Sequence, residues 1–233
     1  MKISRLLMTA IFSFVGVLAV AQSWMMRPQG PVNEFSAMEG TSVLNYNLQI
    51  ERDIHSRAGF GPVFYIFPDN KLDNNQALEL AGNLDLVNII KEYGGRIMVV
   101  NPSSDKWQEQ DLEDFRRLIG MGSSPTNVKV IGIGSGATFV NRQLAATDLT
   151  GVIAGIVSID GDPGKICKLP VPAFIGGKNA AKAAKPYQAT SDAAPADPLQ
   201  KVVVNTDKKA SLETLFAEAW DEVLSANYRY NNL

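Results

Sequence analysis

A three-layer α/β/α sandwich built on a mostly parallel sheet is the architecture this sequence predicts, and three observations predict it. Five short segments, PVFYIFP (62–68), RIMVVN (96–101), VKVIGI (128–133), VIAGIVSI (152–159) and VPAFI (171–175), are apolar without alternation, as expected of strands covered on both faces. Segments with apolar residues at helical spacing separate the first three of them. A run of alternating glycines, Gly132, Gly134 and Gly136, stands between the third apolar run and a helix-like pattern, so a strand feeds a helix through a sharp bend. Buried strands alternating with amphipathic helices place helices on both faces of one sheet.

The chain opens on a basic start, Lys2 and Arg5, continues with an apolar run from Leu6 to Val20 and reaches Ala19-Val20-Ala21. That combination predicts a signal peptide (residues 1–21) cut after Ala21 and a secreted or periplasmic protein with no membrane attachment after cleavage. The alternative is an uncleaved anchor, but the run falls short of the roughly 20 residues that span a bilayer. Of 22 basic residues, all but Lys2 and Arg5 would remain, 20 against 24 acidic ones, a formal charge of −4. So mildly acidic a balance offers nucleic acid no electrostatic footprint. What is left is long enough for one α/β domain with a real core. Cys167 is the single cysteine, which excludes an intrachain disulfide and reads as a small buried hydrophobe rather than a nucleophile.

Taken in order, residues 22–41 carry Pro28, Gly30, Pro31 and Gly40 without periodicity and read as a leader to a domain over 42–233. In Val43 to Glu51, Leu44, Tyr46, Leu48 and Ile50 alternate with polar residues, which predicts an antiparallel or edge strand. A polar turn follows, holding His55, the only histidine. After strand 62–68 a helix is expected over about 74–93, capped by Asp73 with Gln76 three residues on and stopped by Gly94-Gly95. Strand 96–101 leads to an amphipathic helix over 108–119, with Leu112, Phe115, Leu118 and Ile119 on one side. The helix after the glycine turn is expected to reach about Ala146. Asp160-Gly161-Asp162-Pro163-Gly164 forms a turn-rich loop between the last two apolar runs. Residues 178–200, rich in Ala, Lys and Pro, suggest a short helix and an excursion. KVVVN (201–205) reads as another short strand, and Ser211 caps a long amphipathic helix to about Ala226.

Two motifs fit the glycine turn. Gly132, Gly134 and Ala137 match the G-x-G-x-x-A of a dinucleotide-binding turn, but the turn follows the third buried strand rather than opening the domain. The acid that closes the next strand, Asp160, lies 28 residues from Gly132 instead of about 20. The nucleophile elbow G-x-S-x-G fits the order strand, helix, strand, helix, strand, elbow, helix from Pro62 to Ala146. PVFYIFPDN, KEYGGRIMVVNPSS, DFRRLIGMG and AWDEVLSANYRYNN together resemble secreted esterases of the polyhydroxybutyrate-depolymerase and feruloyl-esterase type, within the α/β-hydrolase superfamily. The resemblance covers most of the mature chain. It implies an α/β-hydrolase-like fold and a carboxylic-ester hydrolase, with the loop after the first buried strand donating to the oxyanion hole.

The register of the elbow points the other way. Residues two before and two after an elbow nucleophile must be small, and the pair spaced by four is Gly132 and Gly136, which leaves Gly134 in the nucleophile slot. Centring on Ser135 instead puts the branched Ile133 at one flank. The superfamily order places an acid and then a histidine after the serine. Here His55 precedes the elbow, Lys178 and Asn179 follow VPAFIGG where an acid is expected, and Asp160 and Asp162 follow the preceding strand. By family pattern a last strand and histidine loop would lie beyond the Ser211 helix. A serine without a base is a poor nucleophile. Two hypotheses therefore stand: an esterase with Ser135 as a displaced nucleophile, or a non-catalytic ligand-binding or scaffold protein of the same fold. In either, the amide of Ser135, the amides after Gly134 and the Pro68-Asp69-Asn70 loop can cradle a small ester, carbonyl or anionic ligand. No cofactor is expected, and one histidine and one distant cysteine give no metal set.

Overall fold

Among the described residues eight strands hydrogen-bond into one sheet in the order β1-β2-β4-β3-β5-β6-β7-β8. They are β1 (Val32–Ala37), β2 (Leu44–Gln49), β3 (Val63–Phe67), β4 (Arg96–Val100), β5 (Val128–Ile133), β6 (Ile153–Ile159), β7 (Ala173–Gly176) and β8 (Val202–Asn205). The computed structural model describes residues 32–37, 44–49, 63–93, 96–121, 128–149, 151–193 and 201–225, all within the unit Val32–Leu233. The expected signal peptide, His55 and its turn, and the Gly94-Gly95 helix stop lie outside the described residues. Among the described residues no helix is long and apolar enough to cross a membrane.

Strands β3 to β8 pair in parallel, and β2 is antiparallel to both β1 and β4. The alternating Leu44–Gln49 is thus antiparallel as its pattern predicts, and the five runs without alternation are five of the six parallel strands, β8 being the sixth. The leader reading needs correction: Val32–Ala37 is a strand, registered Phe35 to Tyr46 and Val32 to Gln49. Its six residues carry too few apolar side chains for periodicity to announce it.

Helices cover both faces. On one side α1 (Asn74–Asn83), α2 (Leu86–Tyr93) and α7 (Leu212–Ala219) pack Ala77, Ala81, Leu84, Leu86, Ile89, Leu215, Phe216 and Ala219 onto Phe64, Ile66, Ile97, Ile131, Val157 and Phe174. On the other, α3 (Glu109–Met121), α4 (Ser135–Phe139), α5 (Ala180–Ala183) and α6 (Lys185–Ala193) place Phe115, Phe139, Ala180, Ala183 and Tyr187 over Tyr65, Phe67, Val130, Ile156 and Ile175. The core is therefore two apolar layers separated by the sheet.

The helix expected over 74–93 is two helices. Asp85 adopts φ +53, a left-handed conformation that ends α1, and its carboxylate accepts from Asn88 Nδ2 at 2.7 Å to start α2. The N-terminus matches expectation: Asp73 Oδ1 accepts from the amides of Asn75 and Gln76, and Gln76 Oε1 accepts from the amide of Asp73 at 3.0 Å. Ser211 likewise caps α7 through the amide of Thr214 at 3.2 Å. Helices α4 and α7 both run on as π-turns, Val140–Leu144 and Trp220–Leu224, a widening that no hydrophobic period encodes.

Candidate functional site

The strand order reverses direction at β3. The chain moves from β3 outward to β4, then returns to the other side of β3 as β5, so the helices that follow β3 and β5 lie on opposite faces of the sheet. Open α/β sheets bind ligands at such a switch point. The register brings the ends together, since Phe67 pairs with Gly132. The loop after β3 is Pro68-Asp69-Asn70, and the turn after β5 is Gly134.

Gly134 stands at the apex of the strand-to-helix turn with φ +57 and ψ −117, a conformation that residues with a Cβ reach only under strain. Its amide donates to Ile159 O at the end of β6, 2.9 Å away. The glycines on either side make the bend possible by contact. A Cβ on Gly132 would stand 2.6 Å from Ala137 Cα, and one on Gly136 would stand 2.5 Å from both Phe67 C and Pro68 O. All of those are backbone atoms, which have nowhere to go. Gly132 and Gly136 therefore bring β5, α4 and β3 into direct backbone contact, and Ala137 is part of that packing.

Asp69 meets this turn from the opposite loop. Its Oδ1 accepts from the amide of Ser135 at 2.7 Å, and the Ser135 hydroxyl donates to its backbone carbonyl. A Cβ on Gly134 would stand 2.5 Å from Asp69 Cγ and closer still to Oδ1. Asp69, Asn70 and Ser135 are exposed, and Asn70 Nδ2 donates to Asp69 Oδ2 at 3.4 Å. The predicted site residues Gly132, Gly134, Ser135, Gly136, Asp69 and Asn70 are thus gathered at one switch point.

Two residues that sequence reasoning did not single out fix the loop. Asn101 is buried at the end of β4; its Oδ1 accepts from Leu72 N at 2.9 Å and its Nδ2 donates to Leu72 O at 2.7 Å. Trp107 Nε1 donates to Pro68 O at 3.1 Å, with its ring stacked on Phe139 at 4.8 Å and tilted against Phe67 at 5.3 Å. The available signal was an amide residue directly after the apolar run Ile97–Val100 of a strand parallel to β3, the place from which such sheets present polar side chains.

The acids near the site build turns. Asp160 has φ +59, and its Oδ1 accepts from Lys178 N at 2.8 Å. Opposite it Gly177 has φ +91, where a Cβ would stand 2.9 Å from Asp160 Cγ. Asp162 pairs with Arg142 at 3.0 Å and accepts from Asn179 Nδ2 at 3.1 Å. Buried Asn141, in the π-turn after α4, donates to Asp162 O at 2.9 Å and accepts from the Tyr187 hydroxyl at 2.9 Å. Burial pushes the Tyr187 phenol well above its ordinary value, with the neighbouring Cys167 adding to the rise. Cys167 is half-buried, and burial raises its thiol against the opposing hydrogen bonds from Leu169 and Thr190. Among the described residues no group of three His, Cys, Asp or Glu side chains could hold a metal. After β8 the chain reads Thr206-Asp207-Lys208-Lys209-Ala210 before the Ser211 cap.

Strand order, antiparallel second strand and tight turn after the fifth strand define the α/β-hydrolase fold, and solved structures of that fold superpose on this chain. An α/β hydrolase enzyme from a Medee basin deep-sea metagenome library aligns over 81% of this chain and 87% of its own, with a TM-score of 0.52 and 15% identity. An α/β serine hydrolase without lid from Xanthomonas campestris aligns over 84% and 96%, with a TM-score of 0.50 and 17% identity. A thermostable esterase matches 64% of this chain at 9% identity and a TM-score of 0.46, and this chain spans 47% of its length. No protein-family model matches the sequence, and no curated protein matches it.

Proposed function

We propose that this chain is a secreted or periplasmic α/β-hydrolase-fold protein of esterase descent that does not itself hydrolyse esters, and that it holds a small carbonyl- or carboxylate-bearing molecule at the elbow. One observation carries the reading: the residue at the apex, Gly134, has the strained φ +57 of a presented nucleophile and no side chain to present. Ser135, one residue on, is in the first turn of α4, and its hydroxyl is given to the Asp69 carbonyl rather than to a base. A hydroxyl becomes an effective nucleophile when a neighbouring base takes its proton. What the elbow keeps is the Ser135 amide, which donates to Asp69 Oδ1 and is suited to an oxygen of a bound molecule.

Turnover of p-nitrophenyl acetate and butyrate by the purified chain, with Ser135→Ala as control, tests the proposal. Equal, background rates for both proteins are expected, together with thermal stabilisation of the native protein by small carboxylates. Turnover above background that disappears in Ser135→Ala would overturn it and restore Ser135 as a displaced nucleophile.

A further inference from the structure

We infer that β8 is an interface between two copies of this chain, which pair their edge strands antiparallel about a two-fold axis at Val203 and continue the sheet from one copy into the other. β8 closes the sheet on one side, and among the described residues no strand pairs beyond it. Ala173 N donates to Lys201 O at 2.9 Å and Gly177 N to Asn205 O at 3.0 Å, so positions 201, 203 and 205 turn their main-chain groups toward β7. Val202 and Val204 turn theirs away, an open row of donors and acceptors. Edge strands are ordinarily guarded by a proline, a bulge or an inward charge. β8, Val-Val-Val-Asn, runs in regular register with β7, carries none of these guards, and leaves its three valines half-buried.

A second copy fits this edge because β8 is complementary to itself. An antiparallel pair centred on Val203 sets Val202 against Val204 of the partner subunit, and each such pair exchanges both outward N–H and C=O groups. Moving the axis to Val202 or Val204 would pair one of the outward residues with a position beyond the strand. Charge agrees with the Val203 register. Lys201, Val203 and Asn205 share the face that α7 covers: Lys201 Nζ pairs with Glu222 Oε2 at 2.6 Å, Asn205 Nδ2 donates to Glu218 Oε2 at 2.5 Å, and Val203 packs against the core on that side. Across the axis Lys201 stands opposite Asn205 of the partner subunit, and so beside the partner subunit's Glu218. Each lysine then lies between its own Glu222 and the partner's Glu218, a carboxylate that within one copy meets only the neutral Asn205 amide among the described residues. On the other face Val202 and Val204 belong to the margin of the second apolar layer, which the pairing extends across the axis.

Sedimentation velocity of the purified chain over a dilution series tests the interface. The native protein is expected to pass reversibly from the mass of two chains to that of one on dilution. Val204→Pro removes an N–H that faces away from β7, so the sheet's own ladder stays intact while the pairing loses half of its main-chain bonds; a monomer with an unchanged far-ultraviolet spectrum is expected. Lys201→Glu, a change at an exposed side chain, sets a carboxylate against the partner's Glu218 and is expected to weaken association about tenfold or more. Adding Glu218→Lys to that variant restores opposite charges across the axis and recovers most of the loss. A native protein that stays monomeric throughout the series overturns the proposal, whether another segment of the chain or a different protein covers β8. So does a dimer that withstands Val204→Pro or Lys201→Glu, or a loss that Glu218→Lys does not recover. The charge exchange decides the matter even if Val204→Pro does not fold.

Discussion

Restoring a serine at position 134 separates strain from crowding. Gly134→Ser places a Cβ at φ +57 and ψ −117, which costs about 1–3 kcal/mol in backbone strain. The same Cβ collides with the Asp69 carboxylate, which must swing away and give up its bond to the Ser135 amide. That bond joins exposed groups, so its loss adds only about 1 kcal/mol. The single variant is therefore expected to lose about 2–4 kcal/mol. In an Asp69→Ala background the collision shrinks to the 2.9 Å approach of the Asp69 Cβ, and mainly the strain is left. Thermal unfolding of the four proteins of this double-mutant cycle measures the coupling, expected at about 1 kcal/mol, which corresponds to a Tm difference of about 2–4 °C in a domain of this size. Strictly additive losses would mean that Asp69 does not occupy the space beside Gly134.

Three other outcomes follow from the geometry. Gly136→Ala drives a Cβ into the backbone of Phe67 and Pro68, which cannot yield without parting α4 from β3; a loss of about 3 kcal/mol is expected in thermal or urea unfolding. Ser158, on β6 beside Gly132, is fully buried and its hydroxyl has no hydrogen-bond partner among the described residues, so Ser158→Ala is expected to leave stability unchanged or raise it by up to about 1 kcal/mol in the same measurements. Tyr187 titrates above its ordinary value of 10.0 when folded because burial penalises the phenolate. The unfolded chain therefore releases this proton first, and stability falls as pH rises past about 10, by roughly 1.4 kcal/mol per pH unit until the folded phenol titrates. Tyr187→Phe is expected to flatten that part of the alkaline unfolding profile.

The fold was legible because its strongest signals are local. Five largely apolar runs became five of the six parallel strands, and Asp73 and Ser211 capped the helices assigned to them. The clustering of Asp69 with Gly134 was legible only as an expectation of topology, since 66 residues separate Asp69 from Ser135 and only the β3–β5 pairing joins them. Val32–Ala37 escaped notice because VNEFSA has too few apolar residues to show a period. With that strand counted, KVVVN takes its place as the eighth strand at the sheet edge, a position that its length and composition could not reveal. The break at Asp85 and the two π-turns were invisible for another reason: they depend on a single positive φ or an added residue per turn, which leave the apolar stripe almost unchanged. The place of the Asp69 carboxylate against Gly134 lay beyond sequence reasoning altogether. It is defined by where one exposed side chain rotates relative to a glycine, and no residue pattern specifies a rotamer.

The central claim is that the elbow presents glycine where a reacting side chain would stand, and covalent labelling addresses it most directly. The purified chain is incubated with a fluorophosphonate and its intact mass determined, followed by peptide mapping across residues 128–149. An unmodified mass is the predicted result. A stoichiometric adduct on Ser135, absent from Ser135→Ala, would contradict the account and establish the serine beside the apex as a working nucleophile.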